Sequence, residues 1–374
     1  MSTAQAMVLE AFGQPLVWRK LPLVAPGPGE VQVQIEAAGV CGSDLHIWAG
    51  EDQRVHLPTI LGHEGVGRIL AIGGERLDAE GHPLRPGDRV AWDRGVTCGT
   101  CYWCTIRQQP YVCPERKTYG ISYSCNKPPY FLGCYSEVIH LFASTRLLKV
   151  PDDIDPALIA IVGCSGAMAV HATEEAQIQP GANVVVVGSG PLGLFAVAFA
   201  RRRGAGQIII SGTARSANRL AIAQGLGATA EIISDQMTPA ERLDAVRALT
   251  GGRGADVVIE CAGTPQAIAD GAEFLAPGGV YALAGAAVPG NPLPVRIFES
   301  VVRKNARWQG VWAGDTKHLY QAIRWVLEEP GRYAPLITHR FPLAQANQAL
   351  AAVGSRQAVK AVMEPVSVDR SSLP

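Results

Sequence analysis

Apolar and polar positions alternate over residues 30–41, EVQVQIEAAGVC, and the alternation predicts a half-buried β-strand ending at Cys41. Residues 62–73, GHEGVGRILAIG, and 87–92, GDRVAW, read the same way, with Gly and Pro between them. Residues 93–117 and 118–135 carry little periodicity and are crowded with Cys, Pro, Gly and Tyr. A loop of that length inside a domain needs an anchor. The texture changes near residue 166. Residues 182–190, ANVVVVGSG, predict a short strand that is apolar on both faces, and 191–204, PLGLFAVAFARRRG, a helix stopped by Gly204. Residues 206–212 predict another buried strand. A second helix follows over 216–228, with Ser216 as its candidate cap. Residues 254–263, 278–286 and 305–312 supply further strands. Continuous apolar strands alternating with helices predict a parallel sheet covered on both faces. That block spans 166–312, and residues 313–374 return to the mixed texture of the first part.

The length of 374 residues predicts two to three domains. Charged residues make up 18% and hydrophobic residues 48%, which excludes a disordered chain. Lys and Arg number 33 against 33 Asp and Glu, and this balance argues against a nucleic-acid partner. Residues 1–12 show neither a basic nor a long apolar leader pattern. The apolar run 184–200 is broken by Gly188, Ser189, Gly190, Pro191 and Gly193, so no membrane span is expected there. The expectation is a cytoplasmic protein with no membrane partner. Nine cysteines in a chain of this size then read as ligands or buried thiols, not as a disulfide framework.

Gly188-Ser-Gly190-Pro191-Leu192-Gly193 fits G-x-G-x-x-G between a predicted strand and a predicted helix. Gly188 permits the tight turn, Gly190 lets a pyrophosphate approach the backbone, and Gly193 lets helix and strand pack. The helix start supplies N–H groups and a positive dipole end. The second strand lacks the acid that usually accepts from an NAD ribose, since no carboxylate lies between Ile208 and Gly227. Arg215 is suited to pair with a 2′-phosphate, which favours NADP. The alternative is a solvated Arg215, with the ribose read by Thr213 or by the backbone. Arg201, Arg202 and Arg203 are expected to close a helix and face water.

Cys98, Cys101, Cys104 and Cys113 form C-x2-C-x2-C-x8-C, a spacing suited to a closed tetrahedral zinc site. A metal there would anchor the loop at 93–117. Cys41, His63, Glu64 and Cys164 are dispersed, and spacing alone does not join them.

The order Gly39-Val-Cys41-Gly-Ser43-Asp44-Leu-His46, then Gly62-His63-Glu64-Gly-Val-Gly67, the four-cysteine loop, Cys164-Ser-Gly166 and the glycine turn resembles the zinc-containing medium-chain dehydrogenase/reductases. Residues 252–263 and 336–350 resemble late segments of that family. The resemblance covers nearly the whole chain. It implies an α/β fold, with a GroES-like β-rich catalytic domain over 1–165 and 313–374 and a Rossmann doubly wound coenzyme domain over 166–312. It implies Cys41, His63 and Cys164 as catalytic zinc ligands, and so two zinc ions per chain. Glu64 is implied as the acid able to approach the metal, Asp44 as the carboxylate orienting His63, Ser43 and His46 as a proton relay, and Lys360 as a basic group near the pyrophosphate. Trp48, Trp92 and Arg94 are implied near the substrate pocket. There Arg94 either holds a polar or anionic substituent or forms a surface ion pair. The edge strand at 305–312 implies a homodimer or homotetramer. The fourth structural cysteine follows eight residues after the third, one more than is usual in the family.

The activity implied is a zinc-dependent alcohol dehydrogenase passing hydride between a primary or secondary alcohol, or a polyol, and NAD(P). The carbonyl product and the alcohol are then its small-molecule partners. A zinc-independent NADPH reductase of quinones or enones shares the fold but lacks this ligand set. A non-catalytic zinc-stabilised binding protein would have no need of an open metal site.

Overall fold

The computed structural model describes residues 2–286, 288–290, 293 and 295–365. The chain divides into two units, Met1–Cys164 with Gly314–Pro374, and Ser165–Ala313.

The first unit is built mainly of antiparallel strands. Its larger sheet runs Leu147–Lys149, Arg89–Trp92, Glu64–Ile72, Val31–Val40, Lys360–Glu364 and Ile337–Pro342, with Val138–Leu141 also paired to Val31–Val40. A smaller sheet joins Val17–Pro22, Thr3–Leu9 and Thr59–Ile60. The strand Val31–Val40 forms as its pattern predicts, but it is not half-buried. Nine of its ten residues are buried, Gln32 and Gln34 among them. Gln32 remains satisfied inside because its Nε2 donates to the carbonyl of Val24. Alternation therefore marked the strand without marking a wet face. The loop over 93–117 is closed at its base by a two-stranded ribbon, Gly95–Val96 with Lys117–Thr118. Beyond it, 119–135 forms no helix and no strand. It is held by burial of Tyr119, Phe131, Cys134 and Tyr135.

The second unit carries one six-stranded parallel sheet. Its order is Ala230–Ile233, Ile208–Gly212, Val184–Val187, Ala255–Glu260, Leu275–Leu283 and Arg307–Gly310. Numbered along the chain this is 3-2-1-4-5-6, the doubly wound order that binds dinucleotides at its switch point. Val184–Val187 lies between Ile208–Gly212 and Ala255–Glu260 and is buried throughout, which explains its run of four valines. The helix Pro191–Arg202 follows it directly. The next helix, Ala217–Leu226, ends on Gly227 at φ +116°, a left-handed stop that favours glycine. Ser216 occupies its N-cap position but does not cap it, and the hydroxyl instead meets Thr213 Oγ1 at 3.3 Å. The arginine run is also less solvated than expected. Arg201 donates to the carbonyls of Ala205 and Gly206, and Arg203 to Thr173 Oγ1. One helical stretch, Pro156–Glu175, is long and apolar enough to cross a membrane, yet 78% of its apolar window is buried within the protein.

Candidate active site

Three neighbouring strands of the larger sheet bring the first cluster together. Val31–Val40 delivers Cys41 at its end. Glu64 pairs opposite Gly39, with His63 just before it. Lys360 opens the strand on the other side, where Ala361 pairs with Val40. Cys164 arrives separately, in a π turn over Val162–Gly166. Such wide turns are uncommon and recur at functional sites. Donor atoms of Cys41, His63, Glu64 and Cys164 all lie within 4.8 Å of one another.

Cys41 is the N-cap of the short helix Gly42–Trp48. Asp44, the third residue of that helix, reaches back to accept from the Cys41 N–H at 2.8 Å. The same carboxylate accepts from the Tyr135 hydroxyl at 3.0 Å, and its other oxygen stands 3.3 Å from His63 Nδ1. Both Asp44 and His63 are sealed from solvent. A carboxylate at Nδ1 fixes the ring and leaves Nε2 for a ligand, as metal-binding imidazoles require. Ser43 Oγ lies 3.2 Å from that Nε2. Tyr135 carries no motif, and sequence reasoning missed it. Its one signal was its place in a loop that had to be held.

The charges around this cluster are poised for a cation. The Sγ atoms of Cys41 and Cys164 are 3.9 Å apart. Two thiolates on one tetrahedral zinc sit about 3.8 Å apart. Without a metal the two share a proton. Their mutual hydrogen bond holds the Cys41 thiol well below its ordinary value and drives Cys164 well above it. Burial opposes charge on His63, but Asp44 and Cys41 together raise it to about 9. A divalent metal would replace those protons, so the residues present fit zinc.

Glu64, the fourth donor of the cluster, is also paired with Lys360. Its oxygens accept from Lys360 Nζ at 2.6 and 2.5 Å, and neither side chain reaches solvent. Burial pushes Glu64 up to about 7, against the pull of Lys360. The carboxylate fits only because residue 39 is glycine, since a Cβ there would lie 2.0 Å from Glu64 Oε2. Lys360, expected near the pyrophosphate, has its ammonium engaged inside the cluster by Glu64. Arg94 Nη1 donates to Cys164 Sγ at 2.7 Å, and Arg94 makes no ion pair with a carboxylate among the described residues. Trp92 is 3% exposed and lies in the core, while Trp48 is part-buried and donates to the carbonyl of Gln14. His46 is open to water and meets Glu51 at 2.5 Å.

The second cluster holds four sulfurs and no other donor. Cys98–Cys104, Cys101–Cys104, Cys101–Cys113 and Cys98–Cys113 are separated by 4.0, 3.6, 3.8 and 3.6 Å. These edges match a tetrahedron of thiolates on zinc, about 3.8 Å. Backbone N–H groups of Thr100 and Cys101 hold Cys98 down to about 6, while burial and the neighbouring sulfurs push Cys104 up to about 12. Only a cation lets all four ionise together.

In the second unit the turn after Val184–Val187 has the shape its glycines require. Gly188 has φ +108°. A Cβ on Gly193 would lie 1.8 Å from the Gly188 carbonyl oxygen, whereas one on Gly190 would meet nothing within 4 Å. Gly190 therefore faces open space at the start of Pro191–Arg202, and no side chain caps that helix. Past the second strand, Arg215 is exposed, and Asp235 Oδ1 accepts from the Ala214 N–H at 2.8 Å. A carboxylate is thus present at this turn, contributed not by the second strand but by the 3-10 turn Ser234–Gln236 that follows the third.

Comparison with known proteins agrees with this architecture. Residues 27–152 match the alcohol dehydrogenase GroES-like domain, and 191–328 the zinc-binding dehydrogenase domain. The chain is 33% identical to 5-exo-hydroxycamphor dehydrogenase of Pseudomonas putida, over 97% of this chain and 99% of that one. It is 31% identical to L-threonine 3-dehydrogenase of Bacillus velezensis, over 95% and 96%. An alcohol dehydrogenase structure from Thermotoga maritima superimposes with a TM-score of 0.94 at 44% identity, covering 98% of this chain and all 100% of that one. A zinc-binding dehydrogenase from Sinorhizobium meliloti bound to NADP gives 0.83 at 26% identity, covering 98% and 100%. Fold and site define an oxidoreductase of the dehydrogenase class. The chain belongs to the zinc-dependent medium-chain dehydrogenase/reductase superfamily.

Proposed function

We propose that the protein is a zinc- and NAD(P)-dependent alcohol dehydrogenase converting a small alcohol to its aldehyde or ketone and back. The observation that carries this reading is the three-donor cluster of Cys41, His63 and Cys164. Its fourth neighbour, Glu64, is engaged by Lys360, so one position is left for substrate. Zinc, when held there, supplies the Lewis acid that lowers the pKa of a substrate hydroxyl. The dinucleotide supplies the hydride chemistry. The chain's own residues do the rest. Asp44 and Tyr135 keep His63 aimed. Ser43 Oγ, beside His63 Nε2, takes the hydroxyl proton, and His46, one turn along the same helix, hands it to water. The turn Gly188, Gly190, Pro191, Leu192 and Gly193 cradles the pyrophosphate. Thr213 and Arg215 border the ribose, and NADP is preferred over NAD. Cys98, Cys101, Cys104 and Cys113 hold a second, structural zinc.

The test is removal of ligands and metal. Cys41→Ala and His63→Ala are expected to lower alcohol oxidation by at least about a thousandfold, as loss of an electrostatic catalyst does, with dinucleotide binding retained. Two zinc ions per chain are expected by elemental analysis. Full alcohol oxidation by protein shown to be zinc-free would falsify the reading.

A further inference from the structure

A third group of metal-type donors lies outside both cysteine clusters, on the turn between the strands Glu64–Ile72 and Arg89–Trp92. Asp78, Glu80 and His82 alternate along it, and one donor atom from each lies within 4.8 Å of the other two. The backbone sets this spacing. Leu77 and Pro83 bridge as an antiparallel pair, the Asp78 N–H donates to the His82 carbonyl, and Gly81 turns at φ +87°. Asp78 Oδ1 accepts from the Glu80 and His82 N–H groups at 2.9 and 2.8 Å. These bonds explain why an aspartate opens the turn. They leave its other oxygen unexplained.

Asp78 Oδ2 is sealed from solvent and has no hydrogen-bond partner, on a side chain only 1% exposed. No lysine or arginine among the described residues pairs with it. A buried carboxylate oxygen in that position is costly unless a cation meets it. His82 Nδ1 stands beside it at 3.4 Å, outside hydrogen-bond geometry. That separation is the one expected of two ligands on tetrahedral zinc, where N and O donors about 2.0–2.1 Å from the metal stand about 3.4 Å apart. Glu80 brings the third donor. The Tyr320 hydroxyl donates to its Oε1 at 3.2 Å, which steadies the carboxylate and leaves Oε2 without a bond among the described residues.

We propose that Asp78, Glu80 and His82 bind a divalent metal of the zinc class, held more loosely than at either cysteine cluster. One imidazole with two carboxylates suits zinc, and the imidazole sets the site apart from magnesium and calcium sites, which are built of oxygen. Glu80 and His82 are exposed, so water completes the coordination and the ion exchanges readily. When bound, it ties the turn to the helix Thr316–Glu328 through Glu80 and Tyr320. The site stands independently of the alcohol dehydrogenase reading.

The test is calorimetric titration of zinc into protein that has been zinc-loaded and then dialysed, so that only tightly held ions remain. One further binding event per chain is expected. Asp78→Asn keeps an acceptor for both N–H groups, Glu80→Gln keeps one for Tyr320, and His82→Ala alters an exposed side chain, so each spares the turn. Each should weaken the added zinc at least about tenfold, the scale on which even a ligand's supporting partner matters, and leave the tightly held zinc in place. Magnesium at the same concentration should not displace it. Anomalous scattering at the zinc edge, from crystals soaked in the ion, should place it between Asp78 Oδ2 and His82 Nδ1. The absence of a further binding event overturns the proposal and leaves Asp78 and His82 as an ion pair. An event that none of the three variants weakens also overturns it, because the ion then sits elsewhere. Displacement by equal magnesium removes His82 from the ligand set and overturns it as well.

Discussion

Lys360 and Glu64 lie 296 residues apart, yet they form an ion pair with neither side chain open to solvent. Breaking such a pair is worse than removing it, because the surviving charge is left without water or partner. Lys360→Met should therefore destabilise the protein by about 3–5 kcal/mol, and Glu64→Gln combined with Lys360→Met by clearly less. Denaturant unfolding of the two variants checks this. A double variant as unstable as the single one would show that Lys360 acts through packing. Asp44 makes a different case. Asp44→Asn keeps the shape but weakens the hold on His63 Nδ1, so zinc should leave that site about 10–100-fold more readily in chelator competition, with the four-cysteine site unaffected. Both cases show where sequence reading ends at this scale. Donors with a motif, such as Cys41-Gly-Ser43-Asp44, were legible by type. Who holds whom was not, because Tyr135, Lys360 and Arg94 reach the cluster through sheet pairing and loop packing that no local spacing records.

The elements were unevenly legible, and the reason is length and environment. Strands and helices of the parallel sheet repeat a strong local pattern, and Gly204 and Gly227 stop helices because they adopt φ of +88° and +116°. The helix Gly42–Trp48 has only seven residues and begins on a ligand, so its period is too short to read. The π turn at Cys164 has no signal at all. The four-cysteine loop was visible as a problem, a long segment without periodicity, and its ribbon Gly95–Val96 with Lys117–Thr118 holds only the base. Between them the segment has one four-residue helix and one three-residue turn of 3-10 helix, too little to persist alone. Tyr102, Trp103, Ile106 and Val112 are exposed on it, so few apolar contacts fix it. Its order should depend on the metal. Stripping zinc should open 99–112 to limited proteolysis while the rest of the chain resists, and restoring zinc should close it. Equal resistance with and without metal would show that the sulfurs pack without it.

At the scale of the molecule, the division into units separates two jobs that the reaction joins. Every candidate zinc ligand belongs to Met1–Cys164, and the pyrophosphate turn and the ribose turn belong to Ser165–Ala313. Dinucleotide binding should therefore survive zinc removal. Fluorescence titration with the reduced cofactor should give Kd values within about threefold in zinc-loaded and zinc-stripped protein, since no phosphate contact is lost. In the proposed reading the choice between cofactors falls to the second unit, to two opposite charges at one turn. Arg215 is exposed and makes no hydrogen bond or ion pair among the described residues, so its donors are available to a 2′-phosphate. Asp235 has one oxygen on the Ala214 N–H, which reduces but does not cancel its repulsion of the same phosphate. Arg215→Asp should weaken NADP by about 10–100-fold and change NAD far less. Asp235→Asn keeps an acceptor for Ala214 and removes the negative charge, so it should tighten NADP and leave NAD nearly as it was. If Arg215→Asp leaves NADP affinity unchanged, the guanidinium is a solvated helix-start residue and the phosphate preference has no residue behind it. On the proposed reading NADP affinity follows the balance of Arg215 and Asp235, and the two substitutions should move it in opposite directions.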